Sequence, residues 1–190
     1  MGCSAQVTMT DSRAVIWITG LSGSGKTTIA TALVPRLRQS NLSALLLDGD
    51  AVRNVVDDPA TGYDRSGRLA NAYRIARLAR MIAEQNTVVV VATMSLFHEI
   101  HDWNRRKLPG YFEVLLEVDL DILKRRDPKG LYAAAENQQA CNVGGLDLPV
   151  EMPASPDLTI DNNDDLDDPC TLAERISDSA ISALFSSRTR

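Results

Sequence analysis

Short apolar runs alternate with longer segments of helical periodicity along this chain of 190 residues. The runs are rich in Val, Ile and Leu and show no polar alternation, which is typical of strands covered on both faces of a sheet. The predicted strands are residues 14–19, 44–47, 87–92, 112–118 and 158–160. The predicted helices are residues 26–40, 67–86, 98–107, 120–126 and 170–186.

The segment 67–86 carries the clearest helical pattern, because its apolar side chains recur at helical spacing. That stripe consists of Ala72, Ile75, Ala76, Ala79, Ile82 and Ala83. The segment 26–40 is less regular, since Pro35 is expected to kink the helix or to end it early. The segment 161–168, "DNNDDLDD", is interpreted as a solvated acidic linker before the last helix.

The alternation of strands and helices predicts an α/β fold of three layers. Its centre is expected to be a five-stranded parallel sheet with helices on both faces. Residues 1–12 are predicted to be a flexible leader, and residues 13–190 a single domain.

Composition narrows the classes of function. The net charge of -5 argues against broad binding of nucleic acid. The three cysteines contain no CxxC pair, which favours a reducing, cytoplasmic location over a disulfide framework. No apolar stretch approaches the length of a membrane span, so no membrane partner is expected.

The segment "GLSGSGKT" fits the phosphate-loop pattern G-x-x-x-x-G-K-[ST] and lies between a predicted strand and a predicted helix. Its glycines allow successive N–H groups to turn toward bound phosphates, and the start of the following helix adds positive potential. Lys26 is expected to reach the β- and γ-phosphates, and the Thr27 hydroxyl to bind Mg²⁺. The predicted nucleotide-binding residues are Gly20, Ser22, Gly23, Ser24, Gly25, Lys26, Thr27 and Thr28.

A phosphate loop alone does not define a reaction, but the sequence contains no NKxD-like motif for reading guanine. "LLLDGDAVR" ends the second predicted strand, beside the phosphate loop if the sheet is parallel. Asp48 or Asp50 could orient or deprotonate an attacking hydroxyl there, or hold Mg²⁺ through water. Arg53 could neutralise an anionic acceptor. These residues favour a small kinase.

The sequence resembles adenylylsulfate (APS) kinases over roughly residues 13 to 162. The resemblance rests on "GLSGSGKTT", "LDGDAVR", "GRLANAYRIA" and "RDPKGLY". It implies a phosphate-loop kinase that uses ATP with Mg²⁺ and phosphorylates a ribose 3′-hydroxyl. It also implies a mobile lid at about residues 126–149 and, often, a homodimer.

The resemblance carries roles to individual residues. Asp50 matches the family's catalytic carboxylate, with Asp48 nearby as the water-mediated Mg²⁺ ligand. Arg126 is expected to approach the ATP phosphates, and Ser95 matches a serine in the turn after the third strand. Residues expected to bind the acceptor nucleotide are Asp50, Arg53, Tyr63, Arg68, Asn71, Met94, Ser95, Leu96, His98, Lys129, Gly130, Leu131 and Val143.

Some positions depart from the family's pattern. Val143 stands where APS kinases have a phenylalanine that stacks on the acceptor's adenine, and Leu96 replaces a proline. Tyr63 remains as the opposite aromatic wall, and His98 is expected to read a polar acceptor group. One stacking face is therefore expected to be missing, which disfavours a purine by ~1–3 kcal/mol.

The block "SLFHEI…WNR" together with the valine resembles a subgroup of APS-kinase-like proteins found with capsule phosphoramidate genes. This resemblance implies cytidine diphosphoramidate as the acceptor. Two alternatives stay open: APS as the acceptor in sulfate activation, and a non-catalytic nucleotide-binding regulatory module. For the transfer itself, Ser95 could carry a transient phosphate, although direct transfer needs fewer assumptions.

Overall fold

The computed structural model describes residues 11–58, 62–163 and 168–185. Its centre is a parallel sheet in the order β2-β3-β1-β4-β5. The strands are β1 (Ala14–Thr19), β2 (Ala44–Asp48), β3 (Val88–Ala92), β4 (Tyr111–Glu117) and β5 (Leu158–Asp161). The predicted five-stranded parallel sheet is confirmed, whereas most of the predicted leader, residues 1–10, lies outside the described residues.

Helices cover both faces of the sheet, as predicted. They are α1 (Lys26–Gln39), α2 (Gly49–Val56), α3 (Arg65–Ala83), α4 (His98–Lys107), α5 (Leu120–Arg126), α6 (Leu131–Glu136) and α7 (Pro169–Phe185). The two short helices α2 and α6 are absent from the sequence-based prediction. None of the helices in the described part of the chain has the length and apolar character needed to cross a membrane.

Strand β1 is the centre of the core, because all its residues are buried. Side chains alternate across a strand, so Ile16 and Ile18 pack with α1 and α7 while Val15 and Trp17 pack with α3 and α4. This burial on both faces explains the continuous apolar run that predicted the strand.

Helix α1 runs through Pro35 and ends at Gln39, so the expectation of an early end is wrong. An interior proline costs about 3 kcal/mol or more. Leu33 and Leu37 flank Pro35 and are both fully buried. Burying each leucine contributes about 1.5–3 kcal/mol, which is enough together to offset the proline.

Helix α4 carries a buried histidine, His101. The Nε2 atom of His101 lies 2.6 Å from the backbone oxygen of Ser95, which requires the proton on Nε2. Burial lowers the pKa of His101 below its usual 6.5, and the charge of Glu113 opposes this shift. The unfolded chain therefore binds a proton at His101 more readily than the folded chain does.

A stability titration tests this linkage, with His101→Gln as the variant, because glutamine can donate to Ser95 without titrating. Stability rises with pH wherever the unfolded state binds more protons. The wild type should therefore lose more of its free energy of unfolding than the variant as the pH falls from ~7 to ~5. Acidic groups contribute equally to both proteins, so the difference isolates His101. Parallel urea-denaturation profiles across this range would contradict the assignment.

Candidate active site

A cleft of about 780 Å³ opens at the carboxyl ends of β1, β2 and β3. This edge is where ligands bind in parallel α/β sheets. It brings together the phosphate loop, the start of α2, the start of α3 and the lid. The lining residues are Ser22, Gly23, Gly25, Lys26, Thr27, Thr28, Asp48, Gly49, Asp50, Arg53, Asn54, Tyr63, Arg68, Ala92, Thr93, Met94, Arg126, Pro128, Lys129 and Leu131.

The phosphate loop joins β1 to α1, as its sequence context predicts. Gly23 and Gly25 have φ angles of 79° and 93°, in the region that favours glycine. At Gly20 a methyl group would lie 2.6 Å from the backbone oxygen of Leu116, so no larger residue fits. These backbone angles curl the loop around the position where phosphate groups would bind.

Lys26 points back over its own loop. Its ammonium group donates to the Leu21 carbonyl at 2.6 Å and to the Ser24 hydroxyl at 3.4 Å. Burial lowers the pKa of Lys26 to about 8, with a smaller contribution from the charge of Lys129. The lysine is still mostly protonated at neutral pH, which suits an interaction with phosphate oxygens.

Asp48 connects the phosphate loop with the acceptor-side helix. One carboxylate oxygen accepts from the Thr27 hydroxyl at 2.7 Å. The other oxygen accepts from the N–H groups of Asp50 and Ala51 and caps α2. A hydroxyl and a carboxylate side by side are oxygen ligands of the kind Mg²⁺ prefers, so Thr27 and Asp48 fit the predicted ion.

The backbone at Gly49, directly after β2, lies close to Thr93, directly after β3. A methyl group on Gly49 would lie 2.6 Å from the Thr93 hydroxyl oxygen, so the backbone approaches Thr93 without room for a side chain. Thr93 and Asn54 line the cleft and are absent from the predicted set. Thr93 directly follows a buried strand. It could have been identified from the rule that ligands bind at the carboxyl ends of parallel strands.

The predicted acceptor side carries an ion pair and two arginines that lie against one aromatic ring. Lys129 of the lid forms an ion pair with Asp50. The guanidinium carbons of Arg53 and Arg68 lie 4.5 and 5.6 Å from the centre of the Tyr63 ring. Both arginines and Tyr63 line the cleft, as predicted.

Arg68 also joins α3 to the lid. It donates to the backbone oxygen of Tyr63 at 2.7 Å and to that of Asn142 at 2.8 Å. Burial lowers the pKa of Arg68, and repulsion from Arg53 adds to the shift. Arginine nevertheless stays charged at neutral pH, so it presents a partly desolvated cation to the cleft.

The predicted lid segment has hydrogen bonds of its own. The Asp127 carboxylate accepts from the N–H groups at the start of α6, which lowers the pKa of Asp127. The Tyr132 hydroxyl donates to the Ser22 carbonyl at 2.9 Å and so connects the lid with the phosphate loop. Leu131 lines the cleft, whereas Gly130 precedes α6 and does not.

Ser95 does not lie in the cleft, contrary to expectation. Its side chain is fully buried, and its hydroxyl accepts from the Trp17 indole N–H at 3.0 Å. A buried hydroxyl that is already bonded to Trp17 does not favour a role as a transient phosphate carrier, and that role stays a prediction.

Other predicted acceptor residues also lie away from the cleft. Leu96 and Val143 are buried in one apolar cluster that includes the lid residue Tyr132, so Val143 packs against the protein and does not line the cleft. His98 turns outward, and its Nε2 atom lies 2.9 Å from the Met152 carbonyl. Asn71 is buried on α3, next to the Arg68 turn but not at the cleft surface.

Asn162 and Asn163, the described residues directly after β5, do more than form a solvated linker, whereas residues 164–167 of the predicted linker lie outside the described residues. The Asn162 side chain donates to the Ser24 carbonyl of the phosphate loop at 3.0 Å. Arg126, which lines the cleft, donates to the backbone oxygens of Asn162 and Asn163. No sequence pattern distinguishes these asparagines from a polar linker, because their contacts depend on the pairing of β4 with β5.

A phosphate loop at the edge of a parallel sheet, opposite an aspartate and two arginines, defines a phosphate-loop nucleotide kinase. The family model described as adenylylsulphate kinase matches residues 12–161, and the chain belongs to that family. The resemblance found in the sequence is thereby confirmed.

The relatives differ in the acceptor that their names state. Over 149 residues the chain is 42% identical to the cytidine diphosphoramidate kinase of Campylobacter jejuni, covering 78% of this chain and 86% of that protein. Over 159 residues it is 38% identical to an adenylyl-sulfate kinase of Bacillus velezensis, covering 83% and 80%. The fold is similar to the Mycobacterium tuberculosis APS kinase solved with AMPPNP and APS, with a TM-score of 0.80, 30% identity and coverage of 87% and 96%.

Replacing Tyr132 with phenylalanine tests the link between lid and phosphate loop. The variant leaves the Ser22 carbonyl without this donor, a loss of about 0.5–1.5 kcal/mol. The melting temperature should fall by roughly 2–4 °C, and trypsin should cleave the lid faster. Tyr73→Phe is the matched control, because it removes a phenol bond from α3 to the exposed Glu99 of α4 and touches neither the lid nor the phosphate loop. Equal trypsin sensitivity in the two variants would argue against the link.

Proposed function

We propose that this protein transfers the γ-phosphoryl group of ATP to the ribose 3′-hydroxyl of cytidine diphosphoramidate, a step in capsule phosphoramidate biosynthesis. Two nucleotides would share the cleft: ATP on the phosphate loop and the acceptor between α2, α3 and the lid. The choice of acceptor rests on one observation. Tyr63 is the single aromatic side chain among the described residues that line the cleft, so a bound base would stack on one ring.

On the donor side, the loop N–H groups and Lys26 would bind the ATP phosphates and balance charge on the transferred group. Thr27 and Asp48 would hold Mg²⁺, which supplies further screening of phosphate charge when bound. Arg126 lies on the same side of the cleft and adds another cation. These groups are in place before transfer, because the loop, α1 and the cap of α2 are bonded to one another.

On the acceptor side, Asp50 would accept a hydrogen bond from the attacking hydroxyl and orient it in line with the γ-phosphorus. Asp50 is the first-turn acid of α2 and is fixed there by the Asp48 cap. Lys129 of the lid forms an ion pair with Asp50. A closed lid would therefore place a cation next to the reacting groups. Lid closure would also exclude water and limit hydrolysis of ATP.

The base of the acceptor would stack on Tyr63, and Arg53 and Arg68 would meet its anionic phosphate groups. Since Val143 is buried in an apolar cluster and does not line the cleft, no second aromatic or apolar wall stands at that position. A base with one stacking face gains ~1–3 kcal/mol less than a base held between two aromatic rings. A pyrimidine, with less apolar surface to cover, suits this arrangement better than a purine.

APS is the second candidate acceptor, and the likeness to the APS kinases of Bacillus velezensis and Mycobacterium tuberculosis favours it. A third reading, a non-catalytic nucleotide-binding module, is disfavoured because Lys26, Thr27, Asp48 and Asp50 share one cleft. The homodimer implied by the resemblance stays a prediction, as do the single-domain organisation of residues 13–190 and the mobility of the lid at about 126–149.

The acceptor assignment is tested by giving the purified protein ATP and Mg²⁺ with either cytidine diphosphoramidate or APS. ADP release is measured, and the product is identified by mass spectrometry. We expect kcat/KM to be at least about tenfold higher for the cytidine compound, equivalent to about 1.4 kcal/mol of transition-state binding. Preferred turnover of APS would replace the first candidate by the second. ATP binding without transfer to either acceptor would favour the regulatory module.

The role of Asp50 is tested by Asp50→Asn. Loss of the carboxylate should lower kcat by about 100-fold or more, since proton transfer and orientation typically contribute that much. The KM for ATP should change by less than about threefold, because the exposed ion pair with Lys129 is worth only ~0–1 kcal/mol. Asp57→Asn is the control, since Asp57 is an exposed carboxylate at the other end of α2 with a positive φ that asparagine tolerates. Equal losses in kcat and ATP affinity would count against the assigned role.

A further inference from the structure

Asn162, directly after β5, contacts three separate parts of the donor side. Its side-chain N–H donates to the Ser24 carbonyl at 3.0 Å. Its backbone N–H donates to the Glu117 carbonyl at 2.9 Å, which extends the pairing of β4 with β5. Its own carbonyl accepts from the Arg126 guanidinium at 2.9 Å. One residue therefore joins the phosphate loop, the sheet and the end of α5.

The bond to Ser24 determines the direction of a neighbouring N–H group. In a trans peptide the C=O and N–H bonds point to opposite sides, and the described residues contain no cis peptide. Because Asn162 holds the Ser24 carbonyl on its own side, the Gly25 N–H points away from Asn162. Gly25 lines the cleft, and a methyl group on it would lie 3.0 Å from the Asn162 side-chain nitrogen. Asn162 is not among the residues that line the cleft.

We propose that Asn162 is a positioning residue for ATP: it fixes the peptide between Ser24 and Gly25 so that the Gly25 N–H faces the bound phosphates. Through its backbone carbonyl it also holds Arg126 at the same cleft. The proposal rests on ATP being the phosphoryl donor in the function proposed above. An N–H fixed before the nucleotide binds needs no reorganisation, which strengthens its hydrogen bond to a charged oxygen.

The neighbouring asparagine provides a matched control. The Asn163 side chain accepts from the Asp119 N–H at 2.7 Å and so bonds to the residue before α5 instead of to the phosphate loop. Truncating Asn163 disturbs the same turn after β5 and leaves the Ser24 carbonyl bonded. If the turn had only a structural role, truncating Asn162 and truncating Asn163 would affect nucleotide binding equally.

The experiment uses the full chain with Asn162→Asp, Asn162→Ala and Asn163→Ala. Binding of AMPPNP with Mg²⁺ is measured by calorimetry without acceptor, and thermal melting is recorded for each variant. Asn162→Asp places a carboxylate oxygen against the Ser24 carbonyl, so the Kd should rise by at least about tenfold. Asn162→Ala should raise the Kd by about three- to tenfold. The Kd of Asn163→Ala for AMPPNP should stay within about twofold of the wild-type value, even if its melting temperature falls as far as that of Asn162→Ala.

Steady-state kinetics provide a second readout. The KM for ATP should rise in both Asn162 variants, while the KM for the acceptor stays within about twofold of the wild-type value. AMPPNP affinity unchanged in Asn162→Ala, or reduced equally in Asn163→Ala, would overturn the proposal. Because the calorimetry needs no acceptor, a failure to phosphorylate cytidine diphosphoramidate would refute the proposed acceptor and leave this test intact.

Discussion

The two oxygens of the Asp48 carboxylate hold the donor and acceptor halves of the site together. One oxygen is bonded to Thr27 at the start of α1, and the other caps α2 just before Asp50. A single side chain at the end of β2 thus sets the distance between the phosphate loop and the group expected to orient the acceptor. This arrangement depends on β2 lying in register beside β3, with Asp48 opposite Ala92.

The strands and the long helices can be predicted from the spacing of hydrophobic positions, because burial on one or both faces of an element fixes which positions are apolar. The strands of the sheet were predictable for this reason, and the phosphate loop was predictable because its glycines are required by backbone angles. Helices α2 and α6 were missed because one or two turns carry too few side chains to show a period. Each begins with N–H groups bonded to a carboxylate, Asp48 for α2 and Asp127 for α6.

Matching a motif indicates which segment approaches a site but not which side chains face it. Ser95, Leu96, Val143 and His98 all lie in segments near the cleft, yet the tertiary packing turns each of them elsewhere. The Ser95 hydroxyl points into the core because the buried indole N–H of Trp17 needs an acceptor, which the hydroxyl provides. The contact of Asn162 with the phosphate loop could not be predicted either, because it joins residues that are 138 positions apart.

The burial of Val143 changes what variation at this position can do. Its side chain packs in one apolar cluster with Leu96 and Tyr132 and does not line the cleft. A larger or smaller residue there would disturb the packing between the segment after β3 and the segment around α6 before it altered any contact in the cleft. Variation at position 143 would therefore act on the cleft through the position of the segments that border it.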